Sequence, residues 1–422
     1  MSIIELGVVR DEPASARPPR AYGRRLRGAL VLLLAFVTLV AAVPLPQRAV
    51  VTLPVRPGAD VLVADDLVLV VDQTTAESAQ RRMTAYRLPS GEPAWQTLLP
   101  VDGDRWGVTP LAGRLLVSAH QDNLADTGTQ TVALDRETGA VGWHQPGGAI
   151  ELADGNVLLQ LISDTGTVGR AVDPCCGTTR WQLPNAVGEI SYRYAEAGVD
   201  RLVRSGADGS VEVRDATTGS VLSRAELRAP GGTAYASVHV VGDLLIAIGG
   251  VPATVTAYGM DRLDERWRLP TDDESYASDC GPVICLQRPT GEQVVLDTAG
   301  RTLWSSDRWG WMFPSGGRLV ATTNDSIGPA GPQQLVVLDP PTGRVLAELG
   351  RWELAGSDPG NPLVGLRPRP DGGLLAVGLD VDAGAVRTLD VLPDARGNCY
   401  ASVGRVLCQR ADGSYGLWQV PK

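Results

Sequence analysis

The chain has 422 residues, of which 44% are hydrophobic and 20% charged, with a formal net charge of −10. That balance is enough to bury a core and excludes a chain that is disordered throughout. Six arginines precede Gly28 against Glu5, Asp11 and Glu12, so the remainder sits at about −13, and so acidic a body excludes nucleic acid as a partner, because affinity there rests on neutralising phosphates.

Taken in chain order, residues 1–27 are polar, contain Pro13, Pro18 and Pro19, and end in Arg24-Arg25-Leu26-Arg27; they read as a disordered cytoplasmic tail. Residues 28–45 open with GALVLLLAFVTLVAAV, an uncharged run close to the roughly 20 apolar residues that a membrane helix needs. The arginines on its N-terminal side place the tail in the cytoplasm and everything after Pro46 outside. If the segment were instead a cleaved signal peptide, Val40-Ala41-Ala42 would mark the cut. The long polar stretch before it favours a retained anchor. Residues 46–56 are a linker with a strand near 49–55 that could close a ring.

From about residue 57 to the end the chain repeats itself. Val-rich strands broken by Gly and Asp recur, and a turn motif marks each unit. In VALDRETGAVGW the members are Asp135, Gly139 and Trp143; in TAYRLPSGEPAW, Arg87, Gly91 and Trp95; in AVDPCCGTTRW, Asp173, Gly177 and Trp181. Asp215 and Gly219 keep the turn without the Trp, as do Asp339 and Gly343. Leu263 stands where Gly is expected before Trp267, and Asp297, Gly300 and Trp304 are one residue tighter. The anchors at 87, 135, 173, 215, 259, 297 and 339 recur about every 42 residues, the length of one four-stranded propeller blade. The reading is an all-β, eight-bladed β-propeller over 57–422, with seven or nine blades also compatible, preceded by one transmembrane helix. Gly supplies the positive φ of the turn and Asp accepts from its backbone N–H groups. Trp95, Trp143, Trp181, Trp267 and Trp304 then dock one blade on the next, each indole contributing up to roughly 5 kcal/mol by buried area.

These units resemble the repeats of the pyrroloquinoline-quinone (PQQ) dehydrogenase-like superfamily, whose consensus is close to A-L-D-x-x-T-G-x-x-x-W. The resemblance is clear over about 57–350 and loose over 351–422. It implies the fold; for function it implies quinoprotein dehydrogenases, outer-membrane assembly scaffolds and binding modules alike.

Six cysteines in a chain placed outside the membrane favour disulfides. Cys280 with Cys285, and Cys399 with Cys408, each flank a strand–turn–strand segment and are expected to bridge it. Cys175-Cys176 sits inside a repeat turn and reads as a vicinal disulfide stiffening it, away from any central cofactor. No Cys-x-x-Cys occurs and His120, His144 and His239 are scattered, so no metal site is assigned. The acidic pairs Asp102/Asp104, Asp272/Asp273 and Asp380/Asp382 read as solvated turns. The aromatic run Trp309-Gly310-Trp311-Met312-Phe313-Pro314 is either a contact patch or, as favoured here, packing between blades. No catalytic residue is assigned and the cofactor-binding residues stay unknown. The function expected is a membrane-anchored, extracytoplasmic binding or scaffolding module for a protein or envelope component, without a cofactor. A PQQ-dependent dehydrogenase using calcium is the alternative.

Overall fold

The computed structural model describes residues 50–74, 80–111, 113–121, 128–163, 166–183, 188–271, 275–324, 331–356 and 360–421. The chain divides into 1–49 and 50–422. The tail at 1–27, the apolar segment at 28–45 and the pair Asp272/Asp273 lie outside the described residues. Among the described residues no helix is long and apolar enough to cross a membrane.

Every regular element described is a strand, and all ladders within the sheets are antiparallel. Each repeat lays down an inner strand, a second, a third and an outer strand in sequence order. The repeat at 60–98 does this with Asp60–Ala64, Leu67–Val71, Arg82–Arg87 and Glu92–Leu98. The residues explain the layering. Leu67–Val71 reads LVLVV and is buried at every position, because neighbouring sheets cover both of its faces. Outer strands such as Val141–Pro146 and Glu265–Pro270 alternate between exposed and half-buried positions, as one-sided strands do.

The hydrogen-bonded sheets number eight among the described residues, seven with four strands and one with seven. The larger sheet is two repeats joined by one strand, Val345–Leu354. Its first part pairs with Gln333–Leu338 as an outer strand. Its last two residues, Glu353 and Leu354, pair with Leu366 and Gly365 as the inner strand of the following repeat. The final sheet takes its outer strand from the other end of the chain: Val51–Leu53 pairs with Tyr415–Leu417. A core cluster joins Leu53, Val68 and Val70 to Leu407 and Leu417, so first and last repeats share apolar packing. The β-propeller is thereby closed without an unpaired edge at the seam.

The tryptophans join successive repeats at their rims. Trp95 donates its indole N–H to the Arg136 carbonyl at 2.8 Å, in the turn of the next repeat. Trp143 does the same to Pro174, Trp181 to Thr217, Trp267 to Thr298 and Trp304 to Pro340, all between 2.8 and 3.0 Å. Only Trp95 is buried; the other four are half-buried, so they cap the seams instead of filling them. Each indole lies flat against the glycine of the turn it caps. A Cβ on Gly139, where φ is +70°, would sit 2.3 Å from the Trp95 ring, and Gly177, Gly219, Gly300 and Gly343 meet Trp143, Trp181, Trp267 and Trp304 in the same way. On the strand inside four of the five Trp a small residue makes room: Ala85, Ala133, Ala171 and Ala257 lie opposite Trp95, Trp143, Trp181 and Trp267, while Trp304 lies opposite Val295.

Two of the irregular motifs, those of Asp215 and Leu263, are one event. The repeat of Asp215 has Ser223 where Trp is expected, and the turn it faces carries Leu263 in place of Gly. With no indole to collide with, the Leu263 side chain is accommodated at φ +54° and buried, while Ser223 donates its hydroxyl to the Met260 carbonyl. Asp380 to Gly384 proves to be another copy of the turn, with Gly384 facing Ala347.

Within the turns, Asp135 accepts from the Thr138 hydroxyl and from the N–H groups of Thr138 and Glu137. The Thr138 hydrogen bonds hold its carboxyl below the ordinary value. Asp173 is held down chiefly by Cys175 and Asp297 by the Arg301 N–H.

Gly139→Ala is expected to destabilise the protein by about 2–3 kcal/mol, combining positive-φ strain with the clash against Trp95. In the Trp95→Ala background the same change should cost at least about 1 kcal/mol less, read by urea denaturation as a double-mutant cycle. Strict additivity would rule out the contact. The turn carboxylates also set a pH dependence. Because their native values lie below the unfolded ones, their contribution is complete above the ordinary carboxylate range near ~4 and is lost as pH falls through the lowered native values. Thermal melts should therefore fall as pH drops below that range, beneath any loss that the half-buried His239 causes nearer neutrality; a rise on acidification below pH ~4 would contradict this.

Candidate functional site

One departure from the repeat stands out on the inner wall. The inner strand Trp309–Ser315 carries a β-bulge: Trp309 pairs with Thr323 and Met312 with Ala321, which leaves Gly310 and Trp311 opposite the single residue Thr322. Side chains hold the bulge in place. Thr322 Oγ1 accepts from the Trp311 N–H at 3.0 Å and donates to the Trp311 carbonyl at 3.4 Å. The buried Gln293 amide donates to the Gly310 carbonyl at 2.7 Å. Trp309 and Met312 turn into the core, while Trp311 is left 60% exposed. Phe313 braces its indole, with ring centroids 4.6 Å apart and planes 31° apart. The aromatic run is thus split between the two readings of the sequence: its first and fourth residues pack between sheets, and its third is presented to solvent.

Two cavities meet at Trp311. The first, about 520 Å³, is lined by Gln287, Thr322, Thr323, Asn324, Gln333 and Glu353 among others. The second, about 760 Å³, continues past Phe313, Ser315, Leu354 and Asn361. The space exists because the next repeat has an inner strand of only two ladder residues, Glu353 and Leu354. Ala355 still donates its N–H to the Val364 carbonyl of that sheet, and then the chain leaves it: the Gly356 N–H donates to the Cys399 carbonyl, and the Gly356 carbonyl accepts from Ala401. A slot is left along Trp309–Ser315 where other repeats place a longer inner strand. Inside it, Thr323 is 92% buried (8% exposed) and its hydroxyl has no hydrogen-bond partner among the described residues.

A family model described as outer membrane protein assembly factor BamB matches residues 79–294, just over half of the chain. The chain belongs to this family of PQQ-like propellers. No curated protein matches it. Among solved structures it is similar to BamB from Moraxella catarrhalis, at 15% identity over 88% of this chain and 96% of that one, with a TM-score of 0.43. It is also similar to the computationally designed protein Ika8, at 12% identity over 88% and 99%, TM-score 0.46, and to Saccharomyces cerevisiae Sqt1, at 12% identity over 75% and 95%, TM-score 0.46. The family match ends at residue 294, so apart from Gln287 the slot is built from residues beyond it.

The other residues singled out from the sequence fall elsewhere. Cys280–Cys285 and Cys399–Cys408 are disulfides, each joining the inner and second strands of one sheet. Cys175 and Cys176 differ from the vicinal disulfide expected of them. They are exposed free thiols with sulfurs 2.7 Å apart, beyond the roughly 2.05 Å of a bond. The turn holds them through the Cys175 N–H, which donates to Asp173. Cys176 and Asp173 push the Cys175 thiol up to about 12, while hydrogen bonds from Cys175 and Thr178 hold Cys176 below its ordinary value. Asp173, Cys175 and Cys176 also form the one group of three metal-capable side chains among the described residues, with donor atoms within 4.8 Å, at the rim and not in the slot. Asp102 accepts from the Arg81 guanidinium at 2.6 Å. His239 meets Tyr276 edge to face, and burial lowers its pKa. None of these groups lines the slot.

Thr322→Val keeps the branched shape and removes the hydroxyl that ties down Trp311. It is expected to cost about 1–3 kcal/mol, because the Trp311 N–H and carbonyl lose their partner. Urea denaturation measures it, and an unchanged midpoint would mean that the bulge is fixed by something else.

Proposed function

We propose that the protein is a binding and scaffolding module of the cell envelope. In this reading residues 28–45 hold it in the membrane, residues 1–27 face the cytoplasm, and the propeller works outside. The propeller carries no cofactor and docks a partner protein on one end of its ring. The ring is read as nine-bladed, with Val345–Leu354 serving as the outer strand of one blade and the inner strand of the next.

The observation that carries this reading is the chemistry of one end of the sheets, where inner strands begin and second strands end. Leu98, Ile162, Val251 and Tyr276 lie there, from four different repeats, each 48–77% exposed. At the opposite end most of the exposed apolar side chains, Val141, Val221, Leu222 and Val386, belong to the beginnings of outer strands instead. Apolar side chains spread over a rigid face are what a protein partner covers. The family's named member, an outer membrane protein assembly factor, supports an envelope setting and a protein partner.

The test places a photo-crosslinking residue at Ile162 or at Val386 in the full-length protein, in its native host. Position 162 should yield a discrete adduct with an envelope protein and position 386 should not; equal yields at both would overturn the docking face. Protease added to spheroplasts should degrade the propeller and spare the tail. Protection of the propeller would overturn the topology. Saturable micromolar binding of PQQ with calcium would replace this reading with the dehydrogenase.

A further inference from the structure

We propose that the slot beside Trp311 is a binding site for a neutral oligosaccharide, with one sugar ring stacked on the indole and one hydroxyl held by Thr323. The inference deepens the envelope reading in that such a site would meet glycans outside the membrane, but its chemistry stands on the slot alone.

A pyranose ring has an apolar C–H face and an edge of hydroxyls, each both donor and acceptor. The slot offers the complement of both. Its platform is Trp311, braced by Phe313 and held out of the core by a bulge that three hydrogen bonds made by Thr322 and Gln293 secure. Indole presents a flat, electron-rich face with low conformational freedom, suited to stacking against C–H groups. Around it stand Gln287, Asn324 and Gln333, whose amides both donate and accept, and the hydroxyls of Thr322 and Thr323. Among the described residues no Lys or Arg lines either cavity. A phosphate or carboxylate ligand would therefore meet no cation, and Glu353 would oppose it.

The buried Thr323 hydroxyl is the second, independent sign. Unpaired polar atoms are costly inside a protein, and this one belongs to a residue that lines the cavity, with its own backbone already engaged in the ladder to Trp309. The oxygen is sealed from solvent, and a turn of the side chain toward the cavity would bring it to a ligand hydroxyl. The cavity of about 520 Å³ is within the range of small-molecule sites.

The experiment is calorimetric titration of the full-length protein, in a detergent without a sugar headgroup, with maltotetraose, cellotetraose, chitotetraose and mannotetraose, and with an octaproline peptide. At least one saccharide should bind 1:1, and Trp311→Ala and Thr323→Val should each weaken it at least tenfold. Thr323→Val should leave the melting temperature unchanged or raise it, because it removes an unpaired hydroxyl; Thr323→Ser should retain binding. The proposal is overturned if none of the four saccharides binds, or if binding ignores both substitutions. It is equally overturned if octaproline alone binds in a Trp311-dependent manner, or if Thr323→Val lowers the melting temperature and leaves binding intact. Spheroplast proteolysis reads the envelope location separately, so the two readings fail independently.

Discussion

The packing of a tryptophan on the turn glycine of the following repeat is the constraint on which the propeller depends. It couples two positions 33–44 residues apart, a spacing that only the repeat brings together. Each contact combines an indole hydrogen bond of 2.8–3.0 Å with a flat ring against a residue that has no side chain. The glycine is therefore required twice over, by its positive φ and by the ring above it. Where the ring is missing, the second requirement lapses: Ser223 faces Leu263, and the chain tolerates a branched side chain at φ +54°. Val51 plays the ring's part for Gly91, and Ala347 for Gly384. The seam at the closure is thus made like the others, with an aliphatic side chain from the first strand in the indole's position.

This arrangement explains why the fold was legible in the amino-acid sequence and where legibility stopped. Asp, Gly and Trp at fixed spacing report a turn and a contact, and both recur in the structure. The pairing across repeats was hidden because each motif looks complete within its own unit. Once Trp is assigned to the next unit's Gly, the motifs of Asp215 and Leu263 collapse into one altered contact, and Asp380 to Gly384, which resembles a calcium loop only faintly, takes its place as another rim turn. The joining of two repeats through Val345–Leu354 had no sequence signal, since a ten-residue strand does not announce that it changes partners near its end.

The slot was half legible. Its aromatic run was visible as the densest in the chain, but packing and exposure could not be separated, because a strand's alternation decides that and the bulge resets the alternation. Trp309 and Trp311, two residues apart, would share a face in a regular strand; the bulge sends one inward and the other out. Thr322 and Gln293, which secure the bulge, are ordinary residues in the sequence and acquire their roles only through cross-strand register. Thr323 is likewise anonymous until its burial is known.

A repeat fold makes such departures informative. Each repeat solves the same packing problem, so a unit that departs from the common solution without a compensating contact signals another demand. Ser223 and Leu263 compensate each other and carry no such signal. The shortened inner strand at Glu353 and Leu354 is different. It opens a cavity against a bulged strand, leaves a large aromatic side chain in solvent, and leaves a hydroxyl buried without a partner among the described residues. These departures are local, they converge on one place, and they lie beyond the stretch that the family match covers. The rim contacts hold the ring in shape, and that rigidity is what lets a poorly paired stretch of inner wall persist as a preorganised site instead of collapsing.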